Sequence, residues 1–490
     1  MDMMATLDLV KKALSSPADD TIQKAITVST GLTAYDLQAP AKNLYPVATP
    51  IRNRIPRVGG GTGPATNWKQ VSKIIGSGFD AMGWVPEGQR SANMSYVTAN
   101  KSASYVTLGE EDYVTREAMN AGKGFEDVKA KMVLRLLQKT MLKEENALLF
   151  GNYSLALGTT PTPTLSATGS GATLPALTYS VICVALTYEG MRQQAATGLV
   201  QTKTITGMDG LTYTLNGGVA IKSANATQAI TLGQTLTATV APVQGAAGYA
   251  WYVGAVGSEY LQSITTVSMT TFSAPLTAAT QLASALTSTD CSNNQSVPAF
   301  DGLLTAALNP SNSAYYKALT AGATLSVGTR GNVPELDAMF LSMWNQYQVS
   351  PSVIYVNAQE QTGITNKVLT TSSAPLLRYT TDGDQGYGMV GNGVIEYYFN
   401  PYALDGGKKI PVKIHPMLPP GTIVGWAEDL PAQYQSTEVP NLCEVKTRAD
   451  YYQLDWPMRT RREEVGVYME EVLAVYAPFG MGVINNITAG

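Results

Sequence analysis

The stretch FEDVKAKMVLRLLQKTMLKEENALLF, residues Phe125–Phe150, is the most regular segment of this 490-residue chain. It contains no glycine or proline, and from Val128 onwards apolar residues recur every fourth position, which is the spacing of one helix face. Glu126 and Asp127 stand where a helix dipole favours acids, and Gly151 follows as a stop signal. The stretch therefore predicts a single helix about 39 Å long.

Basic residues form a stripe along this helix at intervals of four: Lys131, Arg135, Lys139 and Lys143. Like charges at that spacing repel by about a few tenths of a kcal/mol per pair. One interpretation is that an anionic partner faces the stripe. The other is a solvated helix face whose repulsion is relieved by Glu144 and Glu145. The sequence leaves both open.

Charge is distributed unevenly along the chain. The whole chain has a net charge of −4 and only 14% charged residues, against roughly 25% in an average soluble protein. Most of the shortage lies in residues 152–300, which hold only these charged residues: Glu189, Arg192, Lys203, Asp209, Lys222, Glu259 and Asp290. A change of composition at both ends of a segment predicts a separate domain inserted into a host domain.

The inserted block is predicted to be all-β. Thr, Val and Tyr alternate with small residues in the runs Tyr179–Tyr188, Ala229–Val240 and Tyr249–Val253, with glycine turns between them. Such short strands predict a β-sandwich. The flanks Leu157–Gly171 and Thr287–Pro298 have the Thr-, Ser- and Pro-rich composition of linkers.

Two pairs of residues in this block have alternative interpretations. Cys183 and Cys291 could form a sandwich disulfide, but nothing places the chain in an oxidising compartment, so free thiols are favoured. Trp251 and Tyr252 could contact host glycans if exposed, but aromatic residues at such positions are more often part of the core.

The N-terminal part of the host is predicted to be extended. Within Met1–Gly60, short helices are predicted at Asp8–Leu14 and Asp19–Ile26, and a proline-rich arm follows that lies on its own surface or on that of a neighbour. Thr66–Glu110 alternates like a long two-stranded hairpin with few large apolar residues. An isolated hairpin is marginal in water, so support from another subunit is expected, with an active-site lid as the alternative.

The chain beyond the insert is predicted to be α+β. A helix is predicted at Val333–Gln348, a buried strand at Ser352–Asn357 and a second helix at Ala358–Leu369. Strands are predicted at Val394–Phe399 and Ile410–His415, and the C-terminal sequence has a closing strand pattern. Paired acids in that pattern are expected to face solvent or a neighbour: Glu463, Glu464, Glu470 and Glu471.

The sequence carries little sign of catalysis. His415, the only histidine, has no Ser, Cys or acid motif beside it and is expected at a strand end. Asp382 and Asp384 begin something like a calcium loop, but the ligands that should follow are missing. Three cysteines cannot make a disulfide framework or a zinc site, and no apolar run is long enough to span a membrane. The N-terminus lacks the pattern of a secretory signal, so synthesis in a reducing cytoplasm is expected.

The order of arm, long hairpin, long helix, inserted β-block and α+β unit resembles the major capsid protein of tailed bacteriophages, with the Hong Kong 97 (HK97)-like fold. The quoted helix resembles the spine helix of that family, and Thr66–Glu110 resembles its E-loop. Other matching stretches are AYDLQAPAKNLYPVATPIRNRIPRV, FDGLL, SPSVIYVNAQEQTGI and IPVKIHPMLPPGTIVGW. The stretch APVQGAAGYAWYVGA, Ala241–Ala255, resembles immunoglobulin-like or fibronectin-type modules, which are known as outward-facing insertions in such capsids.

The resemblance implies an α+β chain with the following divisions: arm 1–64, E-loop 65–115, peripheral domain 116–171, immunoglobulin-like domain 172–290, return to the peripheral domain 291–332, axial domain 333–425 and peripheral C-terminal strands 426–490. It implies no enzyme, cofactor or metal. It also implies self-assembly into hexamers and pentamers of a virion shell, built in the host cytoplasm, with scaffold, portal and decoration proteins and packaged double-stranded DNA as possible partners.

The resemblance also assigns candidate residues. The basic stripe would meet scaffold, genome or a neighbour's acids near the inner face. E-loop contacts to a neighbour would come from Trp84, Tyr96, Lys101 and Tyr105. Some members of the family crosslink a loop lysine to an asparagine; Lys101 is the candidate near the hairpin tip, and no crosslink is expected.

Two rival classes remain to be compared. A surface-exposed adhesion protein that uses the β-domain would predict an export signal. An enzyme with a carbohydrate-binding module would predict catalytic residues. The sequence shows neither feature.

Overall fold

The computed structural model describes residues 48–75, 84–90, 95–123, 127–195, 198–278, 280–295, 298–329, 331–369, 379–380, 388–389, 394–403, 407–428, 430 and 441–490. The predicted helices at Asp8–Leu14 and Asp19–Ile26, and the loop with Asp382 and Asp384, lie outside these residues.

The described helices are α1 (Arg116–Gly122), α2 (Val128–Phe150), α3 (Tyr188–Arg192), α4 (Leu303–Leu308), α5 (Pro334–Tyr347) and α6 (Ala358–Leu369). The described strands are β1 (Arg57–Val58), β2 (Ala65–Ile75), β3 (Ser95–Ser104), β4 (Val106–Thr115), β5 (Thr164–Thr168), β6 (Leu177–Leu186), β7 (Thr202–Thr206), β8 (Thr212–Asn216), β9 (Ala226–Ile230), β10 (Thr235–Thr239), β11 (Gly248–Ala255), β12 (Ser258–Thr265), β13 (Met269–Phe272), β14 (Tyr315–Ala318), β15 (Val353–Val356), β16 (Tyr379–Thr380), β17 (Gly388–Met389), β18 (Tyr397–Asn400), β19 (Lys408–Ile414), β20 (Ile423–Trp426), β21 (Cys443–Asp455), β22 (Arg462–Val475) and β23 (Met481–Asn485).

The long helix is confirmed over Val128–Phe150. It begins at Asp127, whose side chain accepts a hydrogen bond from the backbone N–H of Ala130, and ends at Gly151. Its N-terminal half packs on a four-stranded sheet in the order β1-β21-β22-β4. Met132 and Leu136 of the helix enter a core that the sheet completes with valines: Val114, Val465 and Val467.

A second host sheet has six strands in the order β14-β23-β20-β15-β19-β18. The central strand β15 is buried at every residue, which agrees with the predicted strand at Ser352–Asn357. Helix α5 covers one face through Met339, Phe340 and Met343, and α6 lies beside β15 and β19. The predicted α+β arrangement of this part is confirmed.

The inserted block is a sandwich of two sheets, as predicted. The sheet β13-β10-β5 faces the sheet β12-β11-β6-β9 across a core that contains Tyr179, Leu236 and Trp251. The linker prediction for Leu157–Gly171 was wrong, because β5 lies inside that stretch and pairs with β10, and Leu157 is buried. Thr-rich sequence suits an edge strand as well as a linker, and composition alone does not separate the two.

The strand order of the sandwich is distinctive. Its three-stranded sheet joins β5, β10 and β13, the first, fourth and seventh strands of the sandwich. A constant-type immunoglobulin domain instead joins its third, sixth and seventh strands in the smaller sheet. The block therefore shares the seven-stranded sandwich architecture but connects its strands in another order. The hairpin of β7 and β8 is an addition that forms its own two-stranded sheet.

Candidate assembly surfaces

The described part of the N-terminal arm lies on its own chain. Ile51 and Ile55 are buried in the main core, and β1 pairs in parallel with β21. The backbone N–H groups of Ile51 and Arg52 donate to the two carboxylate oxygens of Glu145, at 3.0 and 2.6 Å. Of the two interpretations of the arm, the structure supports contact with its own surface over these residues.

A buried group of polar side chains holds the arm against α2 and the first host sheet. We call it the arm clamp: Arg52, Arg57, Glu144, Glu145, Tyr451 and Glu471. Glu144 is fully buried and accepts from Arg52 Nε at 2.5 Å, from Arg57 and from the Tyr451 hydroxyl. Both guanidinium groups also lie over the Tyr451 ring, at 5.2 and 5.6 Å. One buried carboxylate therefore pairs with two arm cations, and Arg57 also pairs with Asp450 at 3.0 Å.

Glu145 connects the arm to the second host sheet. Its Oε1 lies 2.7 Å from Nε2 of His415, and His415 is fully buried. Because Nδ1 of the imidazole accepts the Met417 backbone N–H at 3.2 Å, the ring proton sits on Nε2 and is donated to the carboxylate. The prediction that His415 lies at a strand end is confirmed, and its role here is structural.

Glu471 corrects the expectation that the paired C-terminal acids face solvent or a neighbour. Its side chain is fully buried, 3.7 Å from Arg57, whereas Glu470 pairs with Arg448 on the sheet surface. Burial, followed by the nearby charge of Glu144, raises the pKa of Glu471 well above its usual value. The charged form of Glu471 is therefore disfavoured beside Glu144.

The basic stripe is partly neutralised within the subunit. Nζ of Lys139 and of Lys143 lie 2.6 and 2.9 Å from Oε1 of Glu110 on β4. Burial alone would raise the pKa of Glu110, but hydrogen bonds from these lysines lower it below its usual value. Glu144 and Glu145 were the predicted source of relief; that was wrong, because both point into the arm clamp. Lys131 has a contact of its own, and Arg135 is exposed.

The predicted hairpin is present as β2 and β3, paired from Ala65 with Ser104 to Ile75 with Ser95. Its base is fixed to the same chain, since Trp68 Nε1 donates to the Val475 carbonyl at 3.0 Å. The Val71 N–H similarly donates to the Tyr476 carbonyl at 2.9 Å. Beyond Val71 the two strands continue as a two-stranded sheet.

The four predicted E-loop contact residues do not lie together. Trp84 is 83% exposed, beyond the outer end of the paired strands. Tyr96 pairs with Ile74 in that outer part, and its side chain lies outside the described atoms. Lys101 pairs with Trp68 near the base, so its placement near the tip was wrong. Tyr105 lies past the hairpin and has Arg448 over its ring at 5.8 Å.

Other candidate sites from the sequence are core positions. Trp251 and Tyr252 are fully buried and hydrogen-bond inside the sandwich, to Thr265 and Gln281, so the core interpretation is confirmed. Cys183 and Cys291 are free thiols, and burial raises the pKa of Cys183.

Two further features are absent from the described ranges of the chain. Those ranges contain no group of three metal-ligating side chains. No helix in the described part of the chain is long and apolar enough to cross a membrane.

Sequence reasoning missed the arm clamp. Its members lie up to about 400 positions apart in the chain. Nothing in the sequence around the arginines of the arm distinguishes them from ordinary surface charges. The one available signal was the pair Glu144–Glu145 at the apolar end of a helix, where adjacent acids precede Leu148 and Leu149. Acids placed there are buried and need cationic partners from elsewhere.

Comparisons with known proteins gave structural similarities only. No family model matches the sequence, and no curated protein matches it. The chain is similar to the capsid of a native GTA particle, with 9% identity, a TM-score of 0.43 and coverage of 95% of this chain and 99% of that chain. The capsid of cyanophage A-1(L) gives 11% identity, a TM-score of 0.42 and the same coverage.

A third similar structure is the holo-SrpI encapsulin complex from Synechococcus elongatus PCC 7942, with 8% identity, a TM-score of 0.38 and coverage of 97% of both chains. The first two structures are capsids.

Proposed function

We propose that this chain is the major capsid protein of a tailed bacteriophage, a structural subunit with an HK97-like fold that assembles into an icosahedral shell around DNA. The observation that carries the proposal is the β2–β3 hairpin. It has ten or more residues in each strand, pairs with no third strand among the described residues and carries the exposed Trp84 beyond the outer end of the paired strands.

A free hairpin of this kind is not expected to persist alone in water, because two strands without a packed face are marginally stable. Its base is bound to the chain at Trp68 and Val71, which fixes its direction. The strands then extend past this anchor by four residues of β2, about 14 Å. A neighbouring subunit would supply the missing support.

Contact between a hairpin and a different surface on the next copy is heterologous, and heterologous contacts close into rings when the rotation fits. Hexamers and pentamers of a closed shell satisfy this geometry. The divisions proposed for the chain are an arm, an E-loop, a peripheral part with α2 and the first host sheet, and an axial part with the six-stranded sheet. Virion location and assembly in the host cytoplasm belong to the same proposal.

The sandwich is proposed to be an immunoglobulin-like insertion on the outer surface, with the strand order described above. It is low in charge and leaves the host between α2 and α4, whose ends lie together: the Gly302 N–H donates to the Gly151 carbonyl at 2.8 Å. Entry and exit at one point make the block an appendage that the host can carry without interrupting its own core.

The basic stripe is proposed to meet an anionic partner through Arg135, the exposed member without an ion pair among the described residues. Packaged double-stranded DNA, contacted without sequence specificity, is the proposed partner. Scaffold, portal and decoration proteins are further proposed partners. Reversing the charge of all four stripe residues would also break the Glu110 pairs inside the subunit, so a single substitution at Arg135 is the cleaner test.

A hairpin truncation tests the proposed function. Replacing residues 73–97 by a short Gly-Ser turn removes the overhang but leaves Trp68 and Val71 in place. We expect the natural chain to form closed shells in electron micrographs of the purified protein. The truncated chain should remain folded, with an unchanged melting temperature, and sediment as monomers or small oligomers.

The control is Val256→Asn in the turn between β11 and β12, since Val256 is 65% exposed and lies on the sandwich. The control should assemble like the natural chain. Shells formed by the truncated chain, or a natural chain that stays monomeric at high concentration, would refute the proposal.

A further inference from the structure

The six-stranded host sheet has one face covered by α5 and an opposite face that is covered only in part. Alternate residues of a strand point to opposite faces. On the α5 side, the ring of Tyr398 lies 5.9 Å from that of Phe340. On the opposite side Tyr355 and His415 are buried, and His415 bonds to Glu145, which holds the arm. The same face continues beyond these residues to the edge strand β18, where it is open.

Two aromatic side chains stand on the open part of this face. Tyr397 and Phe399 alternate along β18 and are 59% and 57% exposed. Residues two apart on a strand are separated by about 7 Å, so the two rings stand in a row. The Phe399 ring lies against Gly407 in the turn before β19, where an added Cβ would come within 2.3 Å of it. The turn therefore supports one side of this ring and leaves the other side to solvent.

Lysines stand beside the two rings on the next strand. Lys409 is the register partner of Phe399, and Lys413 follows four residues later on the same face of β19. Both lysines are exposed, and neither has an ion pair among the described residues. We call these four residues the aromatic–lysine face: Tyr397, Phe399, Lys409 and Lys413.

The acids around this face leave the two lysines available in the described part of the chain. Residues 394–414 contain three lysines and two acids, Glu396 and Asp405. Alternation directs Glu396 to the opposite face, and Asp405 lies outside the described residues. Glu428, which follows β20, pairs with Arg54 of the arm. Cations beside two exposed rings suit an anionic ligand that also carries flat apolar groups.

Single-stranded nucleic acid has both features. Its unpaired bases stack on aromatic side chains while its phosphates meet basic ones, and open sheet faces can provide such a platform. A duplex keeps its bases stacked on each other, and the side chains of an acidic peptide do not stack in this way. We propose that the aromatic–lysine face binds single-stranded nucleic acid, with two successive bases on Tyr397 and Phe399. The site differs from the duplex contact proposed for Arg135 and goes beyond the shell function.

The test measures how tightly the full-length chain binds a fluorescent oligonucleotide of about twelve thymidines, by anisotropy, at protein concentrations too low for particles to sediment. The face variant carries Tyr397→Thr and Phe399→Thr, because threonine retains the preference for a strand. The control carries Ile205→Thr and Tyr213→Thr, a cross-strand pair on the β7–β8 hairpin. All four side chains are at least 43% exposed, so both variants should melt like the natural chain.

We expect the natural chain and the control to bind the oligonucleotide equally, and the face variant to bind it at least about thirtyfold more weakly. A second variant tests the lysines. Lys409→Gln with Lys413→Gln should lower the slope of log affinity against log salt by about 1.4. Lys317→Gln, at an exposed lysine on β14 at the other edge of the same sheet, should leave the slope unchanged.

Several outcomes would overturn the proposal. One is a natural chain that does not bind the oligonucleotide, and another is a face variant that binds as tightly as the control. A duplex of the same length that displaces the oligonucleotide as well as the unlabelled single strand does would show that charge alone is recognised. Equal displacement by a polyglutamate peptide would assign the face to acidic peptides instead. Because the test needs no assembly, a chain that forms no shells would refute the proposed function and leave this site standing.

Discussion

Replacing Glu144 with Gln should release the N-terminal arm. The substitution keeps the shape of the side chain but removes the negative charge that Arg52, Arg57 and Tyr451 share. Glu144 is 0% exposed, and the side chains of Arg52 and Arg57 are only 17% and 22% exposed, so water cannot replace the carboxylate well. Two partly buried cations would lose their common partner.

The expected loss is about 3–5 kcal/mol, which is typical for removing one member of a buried ion pair. Glu471 limits the loss, because the pKa of Glu471 is raised in part by the charge of Glu144. Without that charge, one cause of the raised pKa of Glu471 is removed, and Arg57 keeps Asp450 at 3.0 Å, which places the expected value near the lower end of the range. At about 2–4 °C per kcal/mol for a domain of ordinary size, the melting temperature of the host should fall by roughly 10 °C.

Trypsin provides a local assay, because the arm contains Arg52, Arg54 and Arg57. We expect the variant to be cut at these residues under conditions that leave the natural chain intact, with the new ends identified by mass spectrometry. The control is Glu117→Gln, which removes a surface pair with Arg461 whose side chain is 83% exposed. A surface pair of this kind contributes less than about 1 kcal/mol.

The reasoning would be refuted if the free energy of unfolding of Glu144→Gln lay within about 1 kcal/mol of that of the natural chain and if trypsin left the arm of the variant intact. Such a result would mean that Ile51 and Ile55, by burying their side chains in the main core, hold the arm without the clamp.

Three further predictions concern single residues. Because the pKa of Glu471 is raised above its usual 4.5, the folded protein binds more protons than the unfolded chain, so the free energy of unfolding should fall as pH rises towards the folded-state pKa. Melting curves recorded from pH 4.5 upwards should show a steeper fall in the natural chain than in Glu471→Gln, in which other buried acids such as Glu189 and Glu360 keep their raised pKa values; parallel curves would contradict it. Arg135→Glu should weaken the binding of double-stranded DNA, measured by a gel shift across a salt series, with an unchanged melting temperature, because Arg135 is exposed; DNA binding equal to that of the natural chain would contradict the role of the stripe. Lys101 should form no covalent link, so mature particles should run as a single band on a denaturing gel, and a ladder of bands would overturn this.

The helices were predictable because their signals are local. Helix α2 follows from its uninterrupted apolar spacing, and α6 was predicted at its observed bounds, Ala358–Leu369. The inserted sandwich was predictable from a change of composition along the chain, which can be detected without tertiary information. In each case the pattern lies within a few tens of residues, which is the range over which periodicity reports which face is buried.

The burial of charges was not predictable, because it depends on distant parts of the chain. Glu471 alternates with Glu470 along a strand, and nothing nearby shows that one faces solvent and the other faces Arg57. His415 was placed correctly at a strand end, but its partner Glu145 is 270 residues away. A carboxylate is buried as an ion only where cationic side chains pair with it. Which side chains come close enough to pair depends on the topology of the whole fold.

The prediction of strand boundaries in polar sequence failed for another reason. Strand β5 alternates exposed and half-buried residues within TLSAT, a composition that also suits a linker. Lys101 was misplaced because the paired strand β3 ends at Ser104 and not at Glu110, which puts residue 101 opposite Trp68 near the base. Register depends on the partner strand, which the sequence of one strand does not reveal.

Cryo-electron microscopy of particles assembled from the purified full-length chain tests the central claim most directly. The account predicts a closed shell in which the β2–β3 hairpin of each subunit lies on a neighbouring subunit and the sandwich stands on the outer surface. Compact monomers, or particles in which the hairpin folds back onto its own subunit and touches no neighbour, would contradict it.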